Sequence, residues 1–133
     1  MVRNVLDDVP IMGVFRFEDL EVWKLAKEQC DEIGSIIRRP EFQRDPPVRD
    51  GLNETSVSVV ENISEGFERK GRKEFAQFTR IAKGSNGEGR SLIYLAQGRG
   101  YVTSGEFTRL MTRNTSIGKM LRSLYDSLSH PRR

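Results

Sequence analysis

Residues 50–68, DGLNETSVSVVENISEGFE, decide the fold, because Leu52, Ser56, Val59, Ile63 and Phe67 recur there at steps of three and four. That spacing lines apolar and small side chains along one face of a helix. Val57 and Val60 point in a second apolar direction, so this helix has two sides to cover. Asp50 is a plausible cap at its start, and Lys70-Gly71 after Phe67 makes a short turn. A helix of this kind is stable only against partners.

The partners lie on either side. Upstream, Glu18 to Arg39 carries Leu20, Trp23, Ala26, Cys30, Ile33 and Ile37 on one helical face, with Val22, Leu25 and Ile36 as a narrower line beside it. Cys30 on that stripe reads as a small core residue. Pro40, Pro46 and Pro47 make Phe42 to Arg49 read as a connector. Downstream, Arg72 to Gln97 predicts a third helix through Phe75, Phe78, Ala82, Leu92, Ile93 and Ala96. Gly84, Gly87 and Gly89 each cost about 1 kcal/mol relative to Ala. The middle of that helix is therefore expected to be weak, kinked or closely packed against another backbone. Thr103 with Glu106 forms a capping-box signature. It opens a fourth helix through Phe107, Leu110, Met111, Ile117, Leu121, Leu124, Tyr125 and Leu128. No useful strand alternation occurs, and short links favour antiparallel neighbours. The fold expected is all-α: an antiparallel up-and-down four-helix bundle over residues 17–128, with an N-terminal extension 1–16 and a basic C-terminal tail 129–133.

Composition narrows the function. The chain has 133 residues, 36% hydrophobic and 31% charged, the balance of one globular domain. No run approaches the roughly 18 apolar residues of a membrane span. Asp7-Asp8 interrupts the N-terminus before a signal-peptide core forms, so a cytoplasmic location is expected. One cysteine, Cys30, and one histidine, His130, argue against disulfide scaffolds, Cys/His metal sites and Ser-His-Asp hydrolases. No metal and no cofactor are expected.

The net charge of +3 hides an asymmetry. Residues 1–64 hold 8 Lys/Arg against 13 Asp/Glu (−5), and residues 65–133 hold 14 against 6 (+8). The basic half can contact phosphate, or it can pair with the acidic half of the same or a neighbouring subunit. Arg69, Lys70, Arg72 and Lys73 cluster at the second turn, and Arg80, Lys83 and Arg90 continue the charge along helix three. These seven are the candidate nucleic-acid contacts, against the plainer reading of a solvated face with i,i+4 pairs. No aromatic residues interleave with them as in single-strand stacking platforms. The run Gly84 to Arg90 has the look of a phosphate loop but lacks a Gly-Lys-Ser/Thr ending and a preceding strand.

The motifs resemble a known family. Phe17-Glu18-Asp19-Leu20-Glu21-Val22-Trp23-Lys24-Leu25-Ala26 resembles the opening motif of the 23S rRNA intervening-sequence proteins. Val57 to Phe67, with its Asn62-Ile63-Ser64-Glu65-Gly66 core, is similar to the second motif. Lys73 to Phe78, then Ala82 to Ser85 and Glu88, is similar to the third. The resemblance spans about residues 15–128. It implies a bacterial protein, a left-handed four-helix bundle that assembles as a homopentamer, and kinship with the basic, nucleic-acid-binding accessory variability determinant proteins of diversity-generating retroelements. It carries over Asn62, Glu65, Gly66, Ser85 and Glu88 as polar motif positions. With no histidine beside them, these read as an inter-helix or intersubunit hydrogen-bond network rather than a metal centre or acid/base pair. Asn86, Gly89, Asn114 and Gly118 depart from the family's apolar pattern at core positions. Val22, Leu25, Val57 and Val60 form the surplus apolar area expected at an oligomer interface. The function expected is a non-enzymatic, oligomeric, nucleic-acid-associated accessory protein, with RNA preferred over DNA. The alternative is a scaffold or adaptor for an unidentified protein partner, with no nucleic-acid contact and no membrane.

Overall fold

Proline sets the first boundaries. Lacking an N–H, it costs nothing at a helix start, where that donor is unpaired anyway. In the computed structural model, which describes residues 10–130, Pro40 opens a short helix and Pro46-Pro47 open a long one. The helices are α1 (Glu21–Ile36), α2 (Pro40–Gln43), α3 (Pro46–Glu68), α4 (Arg72–Gly98) and α5 (Ser104–Ser129), after a 3-10 turn at Phe17–Asp19. The expected connector Phe42–Arg49 is therefore mostly helical. The cap position of α3 is Asp45, not Asp50, which lies inside the helix. Residues 1–9 of the expected extension and 131–133 of the expected tail lie outside the described residues. Residues 11–17 are not free, since Ile11, Val14 and Phe17 pack on the core.

Side-chain pairs give the topology. Gly51 meets Leu92, Ser58 meets Ser85, and Gly66 meets Phe78, so α3 and α4 run antiparallel. Tyr94 meets Phe107, Asn86 meets Asn114, and Arg72 meets Ser127, so α4 and α5 do too. Gln29 and Glu32 of α1 reach Leu110 and Arg109 of α5, and α1 also packs on α3. The four long helices thus form a closed antiparallel ring, α1–α3–α4–α5.

The core inside that ring has a polar waist. One cluster holds Ala26, Val59, Ile63, Phe67, Phe75 and Leu121; the other holds Ile33, Phe42, Val48, Leu52, Ile93 and Leu110. Between them each long helix contributes buried polar groups: Gln29, Thr55 with Ser56, Asn86, and Asn114. Buried polar groups are tolerated only when paired. Asn86 Nδ2 donates to the Asn114 carbonyl at 3.0 Å, and Asn114 Nδ2 donates to the Asn86 carbonyl at 3.0 Å. Gln29 Nε2 donates to the Leu110 carbonyl at 2.9 Å, and Thr55 Oγ1 donates to the Gly51 carbonyl at 2.8 Å. A cavity of about 20 Å³ lies at this level, room for a single water.

Glycine closes the seams at the waist. A Cβ at Gly89 would sit 3.2 Å from Thr55 Oγ1, and one at Gly118 would sit 3.3 Å from Asn86 Nδ2. Helix α4 is continuous here, and close packing accounts for Gly89, whereas Gly84 and Gly87 face open space. The α1 stripe is rotated from the one expected. Val22, Ala26, Gln29, Ile33 and Ile36 are buried, whereas Trp23 and Cys30 are only half-buried. Gln29 holds an inward position because its amide is paired at both ends: Arg113 Nη1 donates to its Oε1 at 2.8 Å.

Closest of all is Gly66, where an added Cβ would lie 2.7 Å from Phe78 Cβ and 2.9 Å from the Phe75 ring. Gly66→Ala should destabilise the protein by about 1–3 kcal/mol through overpacking, despite alanine's better helix propensity. Gly34→Ala in α1, with no atom within 4 Å of the new methyl, should stabilise it by about 1 kcal/mol. Urea midpoints of the two variants should move in opposite directions.

Candidate nucleic-acid interface

Which cations are available depends on where the carboxylates lie. Helix α1 presents Glu28 and Glu32 to α5, and there Arg109 donates to Glu32 while Arg113 pairs with both. Arg39 forks onto Glu106, whose Oε1 also accepts from the Thr103 backbone N–H at 2.8 Å in the expected capping box. Arg99 Nη1 and Tyr101 Oη both donate to Asp45, at 2.6 and 2.7 Å. The acidic half and the basic half therefore meet within the one chain. These pairs fasten α1 and the start of α3 to α5 and the loop before it.

They also shift proton affinities. Hydrogen bonds from Arg39 push the Glu106 carboxyl down to about 2, against the opposing effect of burial and with help from the Thr103 N–H. Arg109, then Arg113, hold Glu32 below its ordinary value. The Tyr101 hydroxyl, followed by Arg99, does the same for Asp45.

The candidate cations divide. Arg69 pairs with Glu65 at 2.9 Å and Glu74 at 3.7 Å and lies 5.2 Å from the centre of the Phe78 ring. Lys70 has a left-handed backbone (φ 58°) at the end of α3, and its ammonium sits 4.8 Å from the Phe67 ring centre. Arg69 is thus paired with two carboxylates, and Lys70 rests against an aromatic face. The five on α4 differ. Arg72, Lys73, Arg80, Lys83 and Arg90 are exposed, and among the described residues none has a carboxylate within 4.0 Å. Arg72 donates instead to the Ser127 carbonyl near the end of α5. Arg72, Lys73 and Arg80 share a groove of about 500 Å³ with Gln77, Tyr125 and Ser129. Tyr125 was not legible as part of this site, because it comes from a different helix 45 or more residues from those cations.

The polar motif positions divide as well. Asn62 Nδ2 donates to the Ser58 carbonyl at 2.8 Å and to Ser58 Oγ at 3.0 Å, and Ser58 Oγ lies 2.7 Å from Ser85 Oγ. Asn62 and Ser85 thus belong to an α3–α4 network completed by Ser58. Glu65 is paired outside it with Arg69, and Glu88 is exposed and bonded to no other described side chain. Gly66 is the close-approach point of the same two helices.

The expected interface residues do not form one patch. Val22 is 6% exposed and sits in the core of the bundle. Leu25 faces the α1/α5 seam beside Arg109 and Arg113, while Val60 packs against the core and Val57 is half-buried. The large apolar side chains that remain exposed include Ile81 (50%) and Leu95 (46%), both on α4.

The described residues form an all-helical bundle. A family model described as 23S rRNA-intervening sequence protein matches residues 18–123. The chain belongs to that family. Comparison with curated proteins finds no match. Among the described residues, no helix is long and apolar enough to cross a membrane.

The Glu106 clamp has a pH signature. Its folded carboxyl titrates near 2 and an unfolded one near 4.5. Its contribution to stability is therefore complete above about pH 4.5 and lost as pH falls toward 2. Glu106→Gln should lower the urea midpoint at pH 7 and make its decline between pH 5 and pH 2 shallower than in the unmodified protein.

Proposed function

We propose that the protein is a non-enzymatic, oligomeric accessory protein that associates with nucleic acid, RNA in preference, through the α4 face turned toward α5. The observation that carries this reading is the segregation of charge. Arginines facing α1 are neutralised inside the subunit, whereas five cations on α4 are left without carboxylates. Unpaired cations along one helix supply the phosphate contacts that dominate nucleic-acid affinity. Membership of a family described by 23S rRNA intervening sequences supports RNA as the first ligand to try.

The adjacent edge of α4 supports assembly. Ile81, Gly84, Glu88, Ser91 and Leu95 recur at three/four spacing, and Gly84 has no atom within 4 Å of its would-be Cβ. An open glycine between two exposed aliphatic side chains suits the close approach of a neighbouring helix. A second copy of the chain is the natural neighbour, and the resemblance noted above makes the ring five-fold. A protein-binding scaffold is the reading that stands if nucleic acid does not bind.

Electrophoretic mobility of structured RNA should be retarded at about 50 mM salt and much less so at about 200 mM. Replacing Lys73, Arg80, Lys83 and Arg90 together by Gln should reduce the slope of log K against log salt by roughly three. Replacing Arg69 and Lys70 should leave it near the original. No retardation at low salt would sink the reading.

Light scattering should give about five times the 15.2 kDa chain mass. Ile81→Glu with Leu95→Glu should reduce that to one chain without loss of helical circular dichroism. A monodisperse unmodified monomer at micromolar concentration would exclude the ring.

A further inference from the structure

Charge alone does not account for the make-up of the α4/α5 seam. Tyr125 of α5 forms a wall of the groove that also contains Arg72, Lys73 and Arg80. Beyond Arg90 on α4 stands Tyr94, 49% exposed, its ring 5.6 Å from that of Phe107 on α5 and so braced against it. Tyr94 is exposed, whereas Tyr125 is half-buried, packing one side against the core while its other side lines the groove. The antiparallel register set by Asn86 with Asn114, and by Arg72 with Ser127, places the two rings toward opposite ends of one line of cations. From Lys73 to Arg90 that line is about 26 Å long at 1.5 Å per residue.

We propose that this seam binds single-stranded nucleic acid, with Tyr125 and Tyr94 as stacking surfaces for bases whose phosphates the α4 cations hold. The proposal rests on the nucleic-acid reading above and specifies the form of the strand. In a duplex the bases are stacked on one another, and side-chain rings on a protein surface have nothing to stack against. In a single strand each base offers a free face, and platforms for such strands combine a basic track with aromatic rings set along it. The acidic residues of α4 keep clear of this track. Glu74 is drawn to Arg69 at the end of α3, and Glu88 lies among the residues of the Ile81–Leu95 edge. Gln77 and Ser129 add neutral hydrogen-bonding groups to the groove, suited to sugar hydroxyls or base edges.

Fluorescence anisotropy with a labelled oligoribonucleotide of about 12 residues, alone and annealed to its complement, tests the proposal on the full chain. The single strand should bind about tenfold or more tightly than the duplex. Tyr94→Ala and Tyr125→Ala should each weaken single-strand binding about tenfold, while leaving the salt slope and the duplex affinity unchanged. Tyr125→Phe keeps the ring and should keep the affinity. Tyr94, exposed and outside the core clusters, gives a readout that survives if Tyr125→Ala disturbs packing. Duplex binding as tight as single-strand binding, with both tyrosine variants unaffected, would overturn stacking and leave the nucleic-acid reading standing. No binding of either form would overturn both.

Discussion

The paired side-chain amides of Asn86 and Asn114 join α4 and α5 at mid-length, and neither helix can slide without parting both. Each amide donates to the other residue's backbone carbonyl, so slippage would strand two buried donors at once. An unsatisfied buried polar group costs about 1–3 kcal/mol, enough to fix the register of a small bundle. Gly89 and Gly118 belong to the same constraint, since a methyl at either would crowd Thr55 or Asn86. The rest of the seam depends on that register. It sets Arg72 over the Ser127 carbonyl, Tyr125 beside Arg80, and Tyr94 against Phe107. A leucine pair would fill the same space without specifying a single alignment.

Charge in this protein has two uses, separated by helix face. Where α5 turns toward α1, arginine serves as a fastener: Arg109 and Arg113 hold Glu32, and Arg39 holds Glu106. Where α4 turns toward α5, no carboxylate among the described residues lies within 4.0 Å of the cations. The excess of basic residues in the second half of the chain is therefore not spread evenly over the surface. Five of these residues lie on α4, while Arg109 and Arg113 are held by carboxylates of α1.

The four long helices are legible in the sequence because their three/four spacing is strong and their ends carry clear signals, above all Thr103 with Glu106. The proline-rich connector misleads because proline breaks a helix interior yet suits a first turn, and only the three-dimensional position of Pro46 separates the two. Gln29 is invisible as a core residue, since its burial depends on Leu110 and Arg113 from 80 or so residues away. The surplus apolar line of α1 misleads for a related reason. Its face is rotated in the bundle, so Val22 points inward and Trp23 to the side. Most of the candidate cations are legible by composition, but their sorting into paired and unpaired is not, because Glu28 and Glu32 reach α5 and not α4. Tyr125 escapes notice because interleaving of rings and charges on adjacent helices leaves no pattern along either one.

The polar waist separates two buried apolar clusters, one toward each end of the bundle. One half is sealed by Phe67, Phe75 and the start of α1; the other is closed by Phe42, the Asp45 and Glu106 clamps, and the loop before α5. Cooperative opening propagates through contiguous apolar contact, and it is interrupted where hydrogen bonds replace that contact. On that ground the two ends of the bundle should open as separate units, with the amides of Asn86 and Asn114 as the joint. The α4 cations lie on both sides of that joint, Lys73 and Arg80 on one side and Arg90 on the other. A ligand laid along the seam would bridge the two halves and couple their opening.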